Sequence, residues 1–452
     1  MNGRQLAIEK LRAAGMPAVA VETFARQYDR LAAGEQGTIA ERDIEPVATL
    51  PDAEQLPDAP DAPLDRLVVI KLNGGLGTSM GMDRAKSLLT VKNGLSFLDL
   101  IVRQVLGFRD RTGAQVPLVL MNSFATREDS LAALVGYPEL DAGLPADFVQ
   151  NRVPKLSAAT LEPVSRPQDP GLEWVPPGHG DLYPALAGSG MLDRLLERGL
   201  RYAFVSNSDN LGAVVDSRIL GWMARERHPF VMEATDRARS DRKGGHLALR
   251  VSDGQLVLRE IAQAASEDLD DFQDIDRHRY FNTNSLWIDL EVLRQTLDRE
   301  GVLDLPMIVN RKTVDPRDPS SEPVIQLETA MGAAIAAFPG AAAVRVDRSR
   351  YAPVKTTADL LAIRSDAYAV TETGAVALVP ERNGVPPLIE LDDAYKLVDD
   401  FEARFPAGPP SLIGCRRLRI EGDITFGSRI RVEGDVTLTG GEPVADGTVL
   451  SG

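Results

Sequence analysis

Apolar and polar positions change their period several times along the chain. Leu6, Ile8, Leu11, Val21, Phe24 and Leu31 fall among charges within residues 4–33, which predicts a helical region. Residues 49–65, TLPDAEQLPDAPDAPLD, follow neither the helical nor the strand period. Proline and aspartate dominate there and predict an extended connector. From 66 to about 370, strand-like runs alternate with amphipathic stretches: RLVVIKL, then FLDLIVRQVLGFRDRTG, then VPLVLMNS. That order predicts an α/β fold with a mostly parallel sheet covered by helices.

The tail has a different rhythm. Leu418, Ile424, Ile430 and Val436 recur every six residues, as do Ile420, Phe426, Val432 and Leu438, with Gly422, Gly427 and Gly434 near the corners. A six-residue period suits a left-handed parallel β-helix in which each short side turns one residue inward. A meander of hairpins would alternate similarly, but two interleaved six-residue series favour the β-helix.

Composition narrows the function classes. A chain of 452 residues, 44% hydrophobic and 26% charged, has room for two or three domains. No apolar run is long enough to span a bilayer, and the first residues, MNGRQLAIEKLRAAG, place charges where a signal peptide needs its apolar core. A single cysteine, Cys415, excludes an internal disulfide and fits a reducing cytoplasm. The formal net charge of −16 argues against broad nucleic-acid or anionic-membrane binding. Any anion site must therefore be built locally from lysines, backbone N–H groups or a metal.

One such site is suggested by KLNGGLGTSMGMDRAKS at 71–87, directly behind an apolar strand. Consecutive glycines let backbone N–H groups approach a ligand where a Cβ would clash. A phosphate-binding loop of the G-x-x-x-x-G-K-[ST] type is excluded, because four residues separate Gly81 from Lys86. A G-x-G-x-x-G dinucleotide fingerprint is excluded too, since Gly75, Gly77 and Gly81 carry one residue too many. A plain connecting turn remains the competing reading. Lys86 is a compact charge suited to following a phosphate, although most lysines are simply solvated. A second constellation, RYAFVSNSDNLGAVVD, ends a strand from Tyr202 to Ser206 in Asn207, Ser208, Asp209 and Asn210. A carboxylate at the carboxyl end of a parallel strand is where such sheets place ligand chemistry, and Asp209 there suits Mg²⁺. Equally, Asp209 or Asn210 could cap a following helix.

Eight blocks occur in order along the chain: KLNGGLGTSMGMDRAKS, NGLSFLDLIVRQ, LVLMNSF, VPPGHGDLY, FVSNSDNLGAVVD, FNTNSLWIDL, VIQLETAMGAAI and RYAPVKTTADLLAIRSDAY. Together they resemble the eukaryotic-type UTP–glucose-1-phosphate uridylyltransferase (UDP-glucose pyrophosphorylase) family, from about residue 66 to 370. The resemblance implies a Rossmann-like nucleotidyltransferase sheet over 66–370, preceded by a helical region and connector over 1–65 and followed by a β-helical region over 371–452. It implies that Leu72, Asn73, Gly74 and Gly75 contact UTP and that Lys86 meets its phosphates. Gln150 and Gly178 would read the uracil edge, with His179 beside the phosphates. Asn207 and Asp209 would meet sugar and metal, with Asp209 holding Mg²⁺. Glu260, Asn282, Thr283 and Asn284 would hold the hexose hydroxyls, and Lys355 would be the catalytic lysine. Where the family usually has proline before the motif lysine this chain has Ala85, and residues 237–272 fit the family only in patches.

The chemistry implied is attack by glucose 1-phosphate on UTP, which needs charge neutralisation rather than a general base. A broader UDP-sugar or UDP-N-acetylhexosamine pyrophosphorylase differs only in a few hydroxyl contacts. A non-catalytic nucleotide-sugar sensor is the third reading, disfavoured by the presence of Lys86, Lys355 and Asp209 together. The open ends of a short β-helix further suggest a homo-oligomer formed through the C-terminal region.

Overall fold

The computed structural model describes residues 2–452. The run Leu67–Asn73 becomes a strand almost wholly buried on both faces, as an unbroken apolar run requires. It pairs in parallel with Tyr202–Asn207 on one side and Leu118–Asn122 on the other, and Asp147–Val149 extends that side, again in parallel. Beyond Tyr202–Asn207 the direction reverses. The long strand Tyr280–Asp289 runs antiparallel to it and to Phe230–Asp236, which in turn pairs in parallel with Ala342–Arg345. Ile44–Pro46, His246–Arg250 and Leu256–Arg259 complete a ten-stranded sheet through antiparallel pairs. The parallel strands expected from the sequence thus form the heart of the sheet, with antiparallel strands on its other flank.

Alternation along Leu67–Asn73 divides the core in two. Leu67 and Val69 face one side, where Phe204 and Trp287 pack against Phe97, Ile101 and Val105 of the helix Phe97–Thr112. Val68 and Ile70 face the other, with Val205, Met232 and the residues Leu182, Tyr183 and Leu186 of the helix Leu182–Gly188.

The helical region at the N-terminus is two helices, Gly3–Ala13 and Ala18–Ala32, separated by Gly15 at φ +73°. Their apolar faces cover a small antiparallel sheet made by Leu156–Ser157, Met307–Thr313 and Pro323–Thr329. The connector is not free chain. Pro51 accepts a hydrogen bond from the Arg345 N–H at 2.7 Å, and Asp52 pairs with the Arg345 guanidinium at 2.6 Å, so this segment lies along the Ala342–Arg345 edge.

In the tail, Leu388–Glu390, Cys415–Glu421, Arg431–Thr439 and Val449–Ser451 pair in parallel, in that order. Leu418 sits beside Val436 and Arg431 beside Val449, so the last three layers are eighteen residues apart, whereas Ile389 sits beside Leu418 across a longer connection. Leu418, Ile420, Ile424, Phe426, Ile430 and Val432 point inward and are continuous with the core that also contains Phe97, Ile101 and Val105. At one corner Gly422, with φ +111°, lies so close to Gly440 that a Cβ would stand 2.3 Å from its carbonyl oxygen. No helix among the described residues is long and apolar enough to cross a membrane.

Candidate active site

Three parallel strands, Leu67–Asn73, Leu118–Asn122 and Tyr202–Asn207, end at the same edge, and the crevice outside that edge collects the candidate residues. Asn73 is the last residue of its strand and is buried. Its side chain donates to Asn122 Oδ1 at 2.8 Å and to Ser130 Oγ at 2.7 Å, so it anchors the loop instead of reaching out of it. The carbonyls of Asn73 and Gly74 accept from Thr126 Oγ1 and Ser123 Oγ, and that of Gly75 accepts from the Lys86 N–H at 3.0 Å. The loop is held by its carbonyls. Among the described residues the N–H groups of Gly74 and Gly75 find no acceptor in the chain, which leaves them free to face an anion. A Cβ on Gly75 would meet nothing within 4 Å, whereas one on Gly74 would stand 3.0 Å from Gln150 Oε1. Ala85 holds φ −54°, the value a proline ring would fix, so the backbone path to Lys86 is one that proline would also take.

Lys86 reaches across to the second strand end. Its Nζ stands 2.7 Å from Asp209 Oδ2, with side chains 15% and 19% exposed. Asp209 caps no helix: the next one, Ser217–Glu226, is capped by Asp216. Asp209 Oδ1 is buried and has no hydrogen-bond partner. One carboxylate oxygen thus serves the lysine while the other is an unused hard acceptor, the donor type that Mg²⁺ selects. No group of three or more metal-ligating side chains occurs among the described residues, so a cation here would take its remaining ligands from substrate and water.

The segment carrying Lys355 is pinned to this turn. The Val354 N–H donates to the Asp209 carbonyl at 3.2 Å, the Ala352 N–H to Asn210 Oδ1 at 3.0 Å, and Asn210 Nδ2 to the Arg350 carbonyl at 3.0 Å. Gly212 permits this approach, because a Cβ there would stand 2.3 Å from the Ser349 carbonyl oxygen. Below it, the half-buried Arg350 guanidinium grips the buried Glu233 at 2.6 Å and the Val214 carbonyl at 2.7 Å, and Glu233 also accepts from Trp287 Nε1 at 2.9 Å. Lys355 itself is exposed, with its N–H on Asp359 just before the helix Thr357–Arg364. Its charge is felt by both His179 and Glu260, disfavouring the protonated imidazole of the one and favouring the ionised carboxylate of the other.

The base-reading and phosphate-facing candidates also meet. Gln150 Nε2 donates to the Gly178 carbonyl at 2.9 Å. Gly178 adopts φ +76° and ψ 174°, a conformation essentially reserved for glycine, and a Cβ would stand 2.4 Å from the Thr329 carbonyl oxygen. His179 Nδ1 accepts the Met331 N–H at 2.9 Å, which leaves the ring proton on Nε2 as a donor. Burial, reinforced by Lys355, pushes the imidazole down to about 4, so it is neutral at physiological pH. A folded pKa below the unfolded value means that stability is complete above about 6.5 and is lost as pH falls towards about 4. His179→Gln is therefore expected to flatten part of the stability-versus-pH curve in that window, as read by urea midpoints. An unchanged slope would contradict the neutral imidazole.

On the antiparallel flank, pairing between Phe230–Asp236 and Tyr280–Asp289 slips: Glu233 faces Ser285 but Ala234 faces Asn282. Thr283 and Asn284 form the resulting bulge, with Asn284 at φ +56°. Asn282 Nδ2 donates to Asn284 Oδ1 and the Asn284 N–H donates back to Asn282 Oδ1, both at 2.9 Å, so the two amides are preset. The Thr283 hydroxyl donates to the Glu233 carbonyl at 2.8 Å and accepts the Ser285 N–H at 3.3 Å, so its proton is already used. Glu260 faces the same region, and a Cβ on Gly245 would stand within 2.7 Å of its carboxylate. Burial raises the Glu260 carboxyl above its usual range, and Lys355 opposes that shift. Asn207, at the strand end, is half-buried beside Asp209.

Asn210, Arg350, Glu233 and Thr329 hold the site together without being candidates in the sequence reading. Arg350 and Asn210 lie inside motif blocks, but nothing in the sequence separates a residue that touches substrate from one that positions it.

The chain matches the family described as UTP–glucose-1-phosphate uridylyltransferase across residues 21–433. It is 43% identical over 367 residues to the Solanum tuberosum protein of that name, covering 81% of this chain and 75% of that one. The Saccharomyces cerevisiae protein is 43% identical over 365 residues, covering 80% and 72%. Among solved structures, UDP-glucose pyrophosphorylase from Leishmania major superposes with a TM-score of 0.93 at 44% identity, covering 99% of this chain and 98% of that one. The UDP-glucose phosphorylase from Trypanosoma brucei gives 0.90 at 44% identity, covering 100% and 99%. The family match runs over most of the chain and the identities hold over about four-fifths of it, and the chain belongs to the UTP–glucose-1-phosphate uridylyltransferase family.

Proposed function

We propose that the chain joins UTP and glucose 1-phosphate by a single in-line displacement. A phosphate oxygen of glucose 1-phosphate forms the new bond to the α-phosphorus of UTP, the bond to the β-phosphate oxygen breaks, and UDP-glucose and pyrophosphate result. The nucleophile is already anionic, so the residues needed are those that bring anions together. The observation that carries this reading is the Lys86–Asp209 pair with the Lys355 segment bonded to the same Asp209 turn. Lys86 and the Gly74 and Gly75 N–H groups would hold the UTP phosphates, His179 Nε2–H would donate to a phosphate oxygen, and Lys355 would approach from the sugar side. Asp209 Oδ1 would hold Mg²⁺, which when bound supplies charge neutralisation at the phosphates. Asn282, Asn284 and Glu260 would meet the hexose hydroxyls, and Leu72 and Asn73 would contribute through backbone. On this reading residues 66–370 form the catalytic unit.

Pyrophosphate release with a panel of nucleoside triphosphates and sugar 1-phosphates tests the proposal. Gln150 and Gly178 form a polar edge that a wrong base leaves unpaired, so UTP is expected to exceed ATP in kcat/KM by about 10²-fold or more. Comparable values for the two would refute the uracil reading.

The eighteen-residue spacing of parallel layers supports a left-handed β-helix for the tail. Its last strand, Val449–Ser451, has one neighbour only and leaves Val449 exposed. An open edge of this kind favours self-association. Val449→Lys is then expected to lower the solution mass measured by light scattering, and equal masses for variant and parent would dismiss it.

A further inference from the structure

On the sheet face opposite the Val68 and Ile70 side, a cavity of about 190 Å³ lies between the strands and the helix Phe97–Thr112. Its walls are mostly apolar, with Val69, Val105, Phe108, Val116 and Phe204 among them. One charged group closes its inner end. Lys71 is fully buried, its Nζ donating to Ser206 Oγ at 2.7 Å and to the Ala213 carbonyl at 3.0 Å and lying 5.7 Å from the Phe204 ring centre. Among the described residues no carboxylate forms an ion pair with it. Arg350 and Glu233 act on it from further away with opposite signs, Arg350 the more strongly, and the two grip each other while Glu233 also accepts from Trp287. The other charged groups of the lining are engaged: Asp216 is clamped by Arg218, and Arg111 donates to the Glu372 carbonyl.

A buried ammonium with only neutral partners is an expensive arrangement that a counter-ion would relieve. Burial, reinforced by the Arg350 charge, pushes the amine down to about 7, so the protonated form is the costly one. The cavity exceeds the roughly 150 Å³ that holds a benzene molecule. It has room for a carboxylate and a short hydrocarbon body, while a phosphate dianion would bring two charges to one cation. We propose that this cavity is a second ligand site that takes a small monocarboxylic acid with an apolar body, its carboxylate on Lys71 Nζ and its chain along Val69, Val105 and Phe108. Lys71 lies two residues before Asn73 and its partner Ser206 just before Asn207, so the site adjoins both strand ends of the active site on their inner side.

Binding would draw a proton onto Lys71, and that gives a readout that mere packing would not. Hexanoate is the probe and hexan-1-ol its neutral counterpart, titrated calorimetrically into the full chain in buffers of different ionisation heat. At about pH 8, where an amine with a pKa near 7 is mostly neutral, hexanoate is expected to take up close to one proton per molecule bound, and at about pH 6 almost none. Lys71→Met should lose hexanoate affinity at least about tenfold while keeping that for hexan-1-ol, because only the charged contact is removed. Val105→Phe, which fills the cavity and leaves the lysine in place, should weaken both ligands and stands in if the Lys71 variant does not fold. No hexanoate binding to the parent chain, equal binding to Lys71→Met, or binding without proton uptake at about pH 8 would each overturn the proposal.

Discussion

Lys355→Ala is expected to lower kcat on the order of 10²-fold or more, the size of effect found when one strong electrostatic donor is lost from a transition state. Lys355 is exposed and makes no ion pair among the described residues, so its side chain has little structural work. Its backbone N–H on Asp359 and the bond from the Val354 N–H to Asp209 do not involve the ammonium, and the segment should stay where it is. Its charge matters most when the sugar phosphate closes on the α-phosphate and negative charge crowds the reacting centre. UTP affinity should fall much less, because the glycine loop, Lys86 and the Gln150–Gly178 edge remain. Lys355→Arg is not a neutral control, since a planar fork replaces a compact charge. Kinetics on the folded alanine variant decide the matter: a near-normal kcat removes Lys355 from the mechanism.

How far such a site can be read from sequence depends on whether its determinants are local. Leu67–Asn73 and Phe97–Thr112 follow from period alone, because burial on two faces or on one stripe imposes the residue pattern directly. The eighteen-residue layers of the tail follow likewise from an inward residue every six positions. Lys86 is legible as the lysine of the glycine loop and Asp209 as a carboxylate just past a strand end, yet their 2.7 Å contact depends on parallel pairing between strands more than a hundred residues apart. The bulge at Thr283 and Asn284 is illegible, since it appears only when Phe230–Asp236 is laid beside Tyr280–Asp289 and the register slips. The docking of Pro51 and Asp52 on Arg345 is hidden for the same reason: proline and aspartate predict irregular chain but not what that chain lies against. The Glu233, Arg350 and Trp287 cluster joins three distant segments through polar side chains, and a buried polar residue has no periodic signature.

Asp209→Ala is expected to remove most activity, with a loss on the order of 10²–10³-fold in kcat, or about 3–4 kcal/mol of transition-state stabilisation. Two separate roles are removed at once. Oδ2 holds Lys86 at 2.7 Å, and Oδ1 is the buried acceptor without a partner. Asp209→Asn separates them. An amide oxygen can still accept from Lys86, so the lysine stays in place, but the neutral side chain no longer holds a divalent cation well. If the carboxylate serves the metal, the asparagine variant should lose nearly as much kcat as the alanine variant, and extra Mg²⁺ should recover part of it. If it only positions Lys86, the asparagine variant should be close to the parent enzyme. Stability is expected to change little in either case, on the order of 1 kcal/mol, because Lys86 can turn towards solvent once its partner is gone. Chelation supplies the independent arm: excess EDTA should abolish pyrophosphate release by the parent chain, and full activity in its presence would end the assignment of Asp209 to a metal.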